Sequence, residues 1–202
     1  MDRAAFLART GVSRETIERL DIYAAELIRW NKAINLVAPR TLEHVWERHF
    51  LDSWQVVSLA GAVDGPWLDL GSGGGFPGLV AAACQPAPVT LVESDQRKSV
   101  FLRETAWRMG VDVTVRTERI EAVAPFAAAM ITARALAPLH RLFEYCHGFA
   151  GPETRMLFLK GQDVDGELTE AAKYWKFEAS RHPSQSDPRG VVLSISELRS
   201  HG

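Results

Sequence analysis

The sequence predicts an α/β fold: a mostly parallel, twisted sheet with helices on both faces, an antiparallel edge strand and a helical N-terminal extension. Three observations predict it. Short apolar runs alternate with helical segments between residues 67 and 160, the rhythm of a parallel sheet. A glycine-rich turn follows the first apolar run. Two late apolar runs flank a loop rich in Pro, Ser and Asp at 182–190, which indicates an antiparallel pair at the sheet edge.

The first 60 residues are predicted to be helical. Ser13 is placed to cap a helix that ends before Pro39, and a second helical stretch begins at Thr41. Apolar residues recur at helical spacing in the first stretch: Ile17, Leu20, Ala24, Leu27 and Ile28. The turn-rich segment 61–66 follows. We therefore divide the chain into a helical N-terminal extension, 1–60, and one compact domain, 61–202.

The elements after residue 66 follow from the same patterns. In chain order they are strand 67–70, helix 77–84, strand 89–93, helix 95–109, strands 111–117 and 128–133, helix 137–147, strand 155–160, helix 163–174, and the late strands WKFEAS and GVVLSIS.

Composition excludes few classes of function. The net charge of −2 neither implies nor rules out nucleic acid, because binding depends on local basic surface. The opening MDRAAFLARTG does not have the pattern of a signal peptide, and no apolar run reaches the roughly 18 residues that span a bilayer. We expect a cytoplasmic protein that does not contact membranes. Cys84 and Cys146 lack metal-ligand spacing, so buried thiols and no metal site are expected.

The run WLDLGSGGGFPG at 67–78 is the most informative stretch, because a strand, a glycine turn and a helix together hold cofactors against bare backbone. Gly73, Gly75 and Gly78 satisfy the G-x-G-x-x-G spacing, and Gly71 and Ser72 complete the turn. The spacing occurs in nicotinamide-dependent enzymes and in methyltransferases, so by itself it leaves the cofactor open.

Asp69 favours one cofactor. A carboxylate two residues before the first glycine repels a pyrophosphate and attracts the ammonium and sulfonium of S-adenosylmethionine, by roughly 3 kcal/mol at ~5 Å and an effective dielectric constant of about 20. The alternative is that Asp69 only caps the turn by accepting backbone N–H bonds.

Acidic and apolar residues after the next two strands extend this candidate site. Glu93 lies about 20 residues after the glycine turn, where an acid accepts ribose hydroxyls, although a helix cap is the alternative. Ile120 is placed to flank an adenine, with the backbone of Glu121 at its edge; a solvated turn is equally compatible with these residue types.

Arg134 ends the fourth predicted strand, at the position that faces the reacting group in such a sheet. An arginine there holds a carboxylate, a phosphate or a guanine edge, unless it only forms a structural ion pair. Lys160, at the end of the next strand, has the same two interpretations.

Helical residues upstream offer weaker signals. His49 and Asp52 are spaced to pair near the cofactor, or else to form a structural pair. Trp30, Trp46 and Trp54 are expected in the core rather than stacked on bases.

Two absences narrow the chemistry. The Arg134 region has no Asn/Asp-Pro-Pro-aromatic run, which disfavours methylation of an exocyclic amine, and no Pro-Cys nucleophile for carbon methylation of a pyrimidine. Guanine N7 already presents a lone pair, so its methylation requires alignment and no general base.

Taken together, these motifs resemble the bacterial small-subunit ribosomal RNA guanine-N7 methyltransferases, the RsmG or GidB family, from about Trp30 to Gly190. The resemblance rests on WNKAINL, RHFLDS, LDLGSGGGFPG, ESDQRKSVFL, ERIEA, ITARALAPL and LKGQ, in the family's order. It implies a Rossmann-like class I methyltransferase fold, S-adenosylmethionine as cofactor, and a guanine in the decoding region of 16S ribosomal RNA as substrate. The family's cofactor positions correspond to Gly71, Phe76, Ile120, Glu121 and Arg134.

The expected partner is 16S ribosomal RNA, within a small subunit or its precursor, with the protein acting as a monomer. The candidate RNA contacts are Lys98, Lys160, Arg189 and His49. Two rival functions stay open at this point: a nicotinamide-dependent oxidoreductase, and an RNA-binding module that senses the cofactor without transferring its methyl group.

Overall fold

The computed structural model of the chain describes residues 1–201. In these residues one seven-stranded sheet has the order β3-β2-β1-β4-β5-β7-β6. Strands β1 to β5 run parallel, and β7 lies antiparallel between β5 and β6, as predicted. The strands are β1 Trp67–Leu70, β2 Val89–Val92, β3 Val113–Arg116, β4 Ala128–Arg134, β5 Ala150–Lys160, β6 Trp175–Pro183 and β7 Val191–Ser200.

Helices cover both faces of this sheet. They are α1 Arg3–Thr10, α2 Arg14–Asn31, α3 Asp52–Ala60, α4 Gly78–Cys84, α5 Gln96–Met109, α6 Leu139–His147 and α7 Val164–Ala171. Ser13 caps α2 as predicted, because its side chain accepts the Thr16 N–H at 3.0 Å. Asp95 caps α5 by accepting two backbone N–H bonds, from Arg97 and Lys98.

The second helical stretch of the N-terminal region is irregular. A 3₁₀ turn at Pro39–His44 and a π-helical turn at Trp46–Leu51 precede α3, so the prediction of a regular helix from Thr41 was wrong. π-Helical turns such as the one at Trp46–Leu51 occur often at functional sites. Further along, β5 begins at Ala150, earlier than predicted, because its first residues continue the pairing with β4 beyond an irregularity between Ala128 and Met130.

Two hydrophobic clusters hold the layers together. On one face, Phe6, Leu20 and Phe50 from the first 60 residues pack in the same cluster as Trp67 and Phe101. The opposite face is covered by α6 and α7 in the second cluster. The first 60 residues thus contribute to a core that they share with the sheet. The division of the chain into an extension and a domain at residue 60 stays a prediction, and we expect the two parts to fold together.

The predictions about the tryptophans and the cysteines can be compared with the structure. Trp30, Trp46 and Trp54 pack against the first cluster. Both cysteines are free; Cys146 is buried and Cys84 is half-buried, and burial raises the pKa of both thiols. Of the helices within residues 1–201, none combines the length and apolar character needed to cross a bilayer.

Candidate active site

The glycine turn lies at the carboxyl edge of β1. Gly71 and Gly73 have φ of 64° and 54°, a left-handed conformation that disfavours residues with a Cβ. Ser72 N–H donates to Val92 O at 3.0 Å, which ties the turn to β2. A Cβ added to Gly73 would approach only Gly71 O, at 3.7 Å, so the outer face of the turn is open backbone.

Glu93 braces this turn from the end of β2. Its Oε2 accepts the Gly73 N–H at 2.9 Å and its Oε1 accepts the Asp95 N–H at 2.8 Å. The side chain therefore supports the loop, and each oxygen retains a lone pair for a ligand hydroxyl. Capping of α5 itself is the role of Asp95.

A cavity of about 360 Å³ opens over the turn, and we call it the glycine-loop cavity. This volume is at the lower end of the range for small-molecule sites. Eight residues that the sequence indicated for cofactor binding line it: Gly71, Ser72, Gly73, Phe76, Glu93, Ile120, Glu121 and Arg134.

Asp69 and Gly75 do not line this cavity, so direct contact between the Asp69 carboxylate and a ligand, expected from the sequence, is not the arrangement in the structure. Asp69 is fully buried beneath the turn. Its Oδ1 accepts the Thr132 hydroxyl at 2.7 Å, and its Oδ2 is buried without a hydrogen-bond partner among the described residues. Burial raises the pKa of this carboxyl to about 6, although the Thr132 hydrogen bond lowers it.

Two glycines of the G-x-G-x-x-G spacing serve close packing. A Cβ on Gly75 would lie 2.6 Å from the Tyr23 hydroxyl, and one on Gly78 would lie 2.3 Å from Leu91 Cδ2. These positions let the turn and α4 approach the helical layer and the sheet.

Arg134 is held over the cavity by two groups, the aromatic ring of Phe76 and the imidazole of His49. Its guanidinium carbon lies 4.8 Å from the centroid of the Phe76 ring, a cation–π distance. The His49 ring stacks on the same Phe76 at 5.0 Å, and Arg134 Nη1 lies 2.9 Å from His49 Nδ1.

The hydrogen bonds determine the tautomer of His49. Arg134 only donates, so Nδ1 accepts and the proton lies on Nε2, which donates to Thr41 Oγ1 at 2.7 Å. The Thr41 hydroxyl in turn donates to Ala38 O. Burial and the positive charges of Arg134 and Arg48 lower the pKa of His49 to about 3, so the ring is neutral at physiological pH.

A second cavity of about 670 Å³, which we call the adjacent cavity, lies beside the first. The two share the segment Arg134, Ala135 and Leu136 as a common wall. Ala135 has φ of 51°, a strained conformation for a residue with a Cβ, and such strain is concentrated at functional sites.

The candidate RNA contacts are distributed differently from the expectation. Lys160 has only 8% of its side chain exposed; its amine donates to Ala137 O at 2.9 Å and pairs with Glu167 at 2.5 Å, as the ion-pair interpretation expects, and its contact with RNA stays a prediction. His49 is buried, with 6% exposed, and its contact with RNA likewise stays a prediction. Lys98 lines the glycine-loop cavity, and Arg189 is exposed beside the adjacent cavity.

The predicted pairing of His49 with Asp52 is wrong. Asp52 Oδ1 instead accepts the hydroxyls of Ser184 and Ser186, at 3.1 and 2.8 Å, because the loop before β7 folds over the start of α3. No local pattern indicates a contact across more than 130 residues of chain.

Sequence reasoning also missed residues of both cavities. Tyr145 on α6 and Leu36 after α2 line the glycine-loop cavity, and Arg48 lines the adjacent one. Tyr145 and Leu36 are residue types that usually fill cores, so their patterns carry no functional signal.

Comparison with known proteins identifies the family. A family model described as rRNA small subunit methyltransferase G, GidB, matches residues 16–188. Proteins named Ribosomal RNA small subunit methyltransferase G from Parvibaculum lavamentivorans and Paramagnetospirillum magneticum are 52% and 50% identical to this chain. The first alignment covers 100% of this chain and 91% of the relative, and the second covers 95% and 94%.

Solved structures show the fold. A ribosomal protein L11 methylase from Lactobacillus delbrueckii subsp. bulgaricus has a TM-score of 0.58 at 16% identity, over 71% of this chain and 77% of its own. A TehB-like SAM-dependent methyltransferase from Corynebacterium glutamicum has a TM-score of 0.60 at 12% identity, over 78% and 92%. The fold is thus the Rossmann-like class I methyltransferase fold expected from the sequence. With the family model matching most of its length, the chain belongs to the GidB family of rRNA small subunit methyltransferases G.

Proposed function

We propose that this protein transfers the methyl group of S-adenosylmethionine to N7 of a guanine in 16S ribosomal RNA. Membership of the GidB family supports a methyltransferase that acts on ribosomal RNA of the small subunit. The choice of N7 is supported by the chemistry of the two cavities together with the family resemblance.

The residues of the glycine-loop cavity fit S-adenosylmethionine. The side-chain-free surface of Gly73 admits a ligand against the backbone, and Glu93 offers two acceptors to the ribose hydroxyls. Ile120 and the backbone of Glu121 are assigned to the adenine, and Arg134 to the carboxylate end. When bound, S-adenosylmethionine supplies an electrophilic methyl group on a sulfonium.

Asp69 acts from beneath the turn. Its buried carboxylate, which is mostly ionised at neutral pH with a pKa of about 6, contributes negative potential behind the backbone of the cavity. A cationic methyl donor is favoured by this charge, whereas a pyrophosphate is not.

The shared wall at Arg134, Ala135 and Leu136 is the observation that carries the proposal. A cofactor in the glycine-loop cavity and a base in the adjacent cavity would meet at this wall. We assign the adjacent cavity to the guanine.

No general base is needed for this reaction. The carboxylates of the adjacent cavity already have partners, since Asp52 accepts two serine hydroxyls and Glu167 pairs with Lys160. Guanine N7 attacks through its own lone pair, and alignment alone supplies effective molarities of ~10⁵ M or more.

The substrate is proposed to be 16S ribosomal RNA within an assembled small subunit or its precursor, modified in the cytoplasm by a monomer. Incubation with labelled S-adenosylmethionine and small subunits from a strain lacking this gene tests this. We expect labelled 16S RNA, with one reverse-transcription stop after borohydride and aniline treatment, the signature of N7-methylguanine.

Two other outcomes would contradict the proposal. Binding of the cofactor without labelled RNA would favour the sensing module. Saturable, tight binding of NADH in a fluorescence titration would favour the oxidoreductase. An assay with naked 16S RNA distinguishes free RNA from the assembled particle, and sedimentation equilibrium tests the monomer.

A further inference from the structure

Two arginines at the adjacent cavity share one carboxylate. Arg48 Nη2 lies 3.1 Å from Asp187 Oδ2, and Arg189 Nε lies 3.7 Å from Asp187 Oδ1. All three residues line the cavity. The arginine side chains are 39% and 70% exposed, so both guanidinium groups reach solvent.

Arg48 Nη1 also donates to Ser186 O at 3.2 Å, but the loop that carries Asp187 and Arg189, residues 184–190, has further anchors that do not involve Arg48. Its serines donate to Asp52, and Gln55 Oε1 accepts the Gln185 N–H at 2.9 Å. Within the loop, Asp187 Oδ1 accepts the Arg189 N–H at 3.0 Å. Arg48 can therefore exchange its partner while the loop stays in place.

The charges that line the adjacent cavity leave a positive excess beside this loop. Arg48, Arg134, Lys160 and Arg189 face Asp52, Glu167 and Asp187, so four cations meet three carboxylates. Lys160 and Glu167 neutralise each other in a largely buried pair. A chain with a net charge of −2 thus presents a net positive cavity.

We propose that Arg48 and Arg189 together bind one backbone phosphate of the RNA next to the target guanine, and that Asp187 occupies the place of this phosphate in the free protein. A phosphate offers more acceptor oxygens than a carboxylate, and arginine binds it through paired N–H bonds. The inference rests on the proposed function, because it takes the adjacent cavity as the entry of the RNA.

We call Arg48 and Arg189 together the phosphate clamp. The salt dependence of binding to small subunits from the strain lacking this gene tests it. The variants are Arg48→Gln, Arg189→Gln and Asp187→Asn, and the control is Arg14→Gln, an arginine on α2 that lines neither cavity. We expect each clamp arginine variant to weaken binding about tenfold and to lower the slope of log K against log salt by about 0.7 to 1.

Asp187→Asn is expected to bind RNA severalfold more tightly, because the competing charge is removed while the amide oxygen still accepts the Arg189 N–H. The control should bind like the wild type. A wild-type salt slope in both arginine variants, or binding by Asp187→Asn no tighter than that of the wild type, would overturn the proposal.

Two further readouts separate this proposal from the proposed function. Calorimetric titration with S-adenosylmethionine should give wild-type affinity in all four variants, and thermal melting should show that each is folded. If no variant and no wild-type protein methylates the subunits, the proposed function fails while the binding slopes still report on the clamp. If methylation proceeds but the slopes do not change, the clamp alone is rejected.

Discussion

The buried carboxyl of Asp69 allows a quantitative test of how the site is built. Replacement by asparagine keeps the shape of the side chain, and the amide oxygen still accepts the Thr132 hydroxyl. The Asp69 carboxyl has a pKa of about 6 in the folded protein, against an ordinary 3.8, because it is fully buried. At 1.36 kcal/mol per unit of pKa, the difference between the two pKa values destabilises the folded protein by about 3 kcal/mol at neutral pH.

The direction of the pH dependence follows from proton binding. Between about pH 4 and pH 6, the folded protein holds a proton at Asp69 that the unfolded chain has released, so the free energy of unfolding falls as the pH rises through this range. Asp69→Asn has no such dependence. We expect the variant to be more stable than the wild type by up to about 3 kcal/mol at pH 7, and the difference to vanish near pH 4.

Urea denaturation at a series of pH values measures this difference. Asp95→Asn is the matched control. Hydrogen bonds from the Lys98 and Arg97 backbone lower the pKa of that exposed carboxyl, so its replacement is not expected to raise the free energy of unfolding. Calorimetry should show at least a tenfold loss of affinity of Asp69→Asn for S-adenosylmethionine, since the attracting charge is gone. A variant less stable than the wild type at pH 7, or a stability difference independent of pH, would refute the reasoning.

Three further substitutions test the remaining parts of the site. Gly73→Val forces a β-branched residue to φ of 54° and fills the open face of the turn. We expect calorimetry to show at least a tenfold loss of affinity for S-adenosylmethionine, and binding as tight as that of the wild type would contradict the role assigned to the glycine turn. His49→Phe keeps the stack on Phe76 but leaves Arg134 without its acceptor. Thermal unfolding should therefore show that the free energy of unfolding falls by about 1–3 kcal/mol, and His49→Asn should restore part of it. Because the pKa of His49 is lowered to about 3, the wild-type rate should show no titration of this imidazole between pH 5 and 8, and an inflection that His49→Asn removes would be inconsistent with a neutral ring. Lys160→Met leaves Glu167 without its cation, and urea denaturation should show that the free energy of unfolding falls by about 2 kcal/mol. The double variant with Glu167→Gln should recover most of this loss, whereas additive losses would argue against the pair.

Much of the fold could be predicted because its signals are local. The strand, glycine turn and helix at residues 67–84 follow from neighbouring residues, and the alternation of elements predicts the parallel sheet and the antiparallel late pair. The positions of Glu93, Ile120 and Arg134 follow as well, since the carboxyl ends of parallel strands meet at one edge. The irregular turns before α3 were missed, because apolar periodicity does not distinguish a regular helix from a π-helical turn.

By itself the sequence determined the sheet, the glycine turn and the family, since all three depend on short-range pattern or on ordered motifs. Only the tertiary structure decided that Asp69 lies beneath the turn, that Lys160 is committed to Glu167, and that Arg48 meets Asp187 across 139 residues of chain. The physical reason is that burial and pairing of a charged side chain depend on which distant segments pack against it, and residue type and spacing carry no information about that packing.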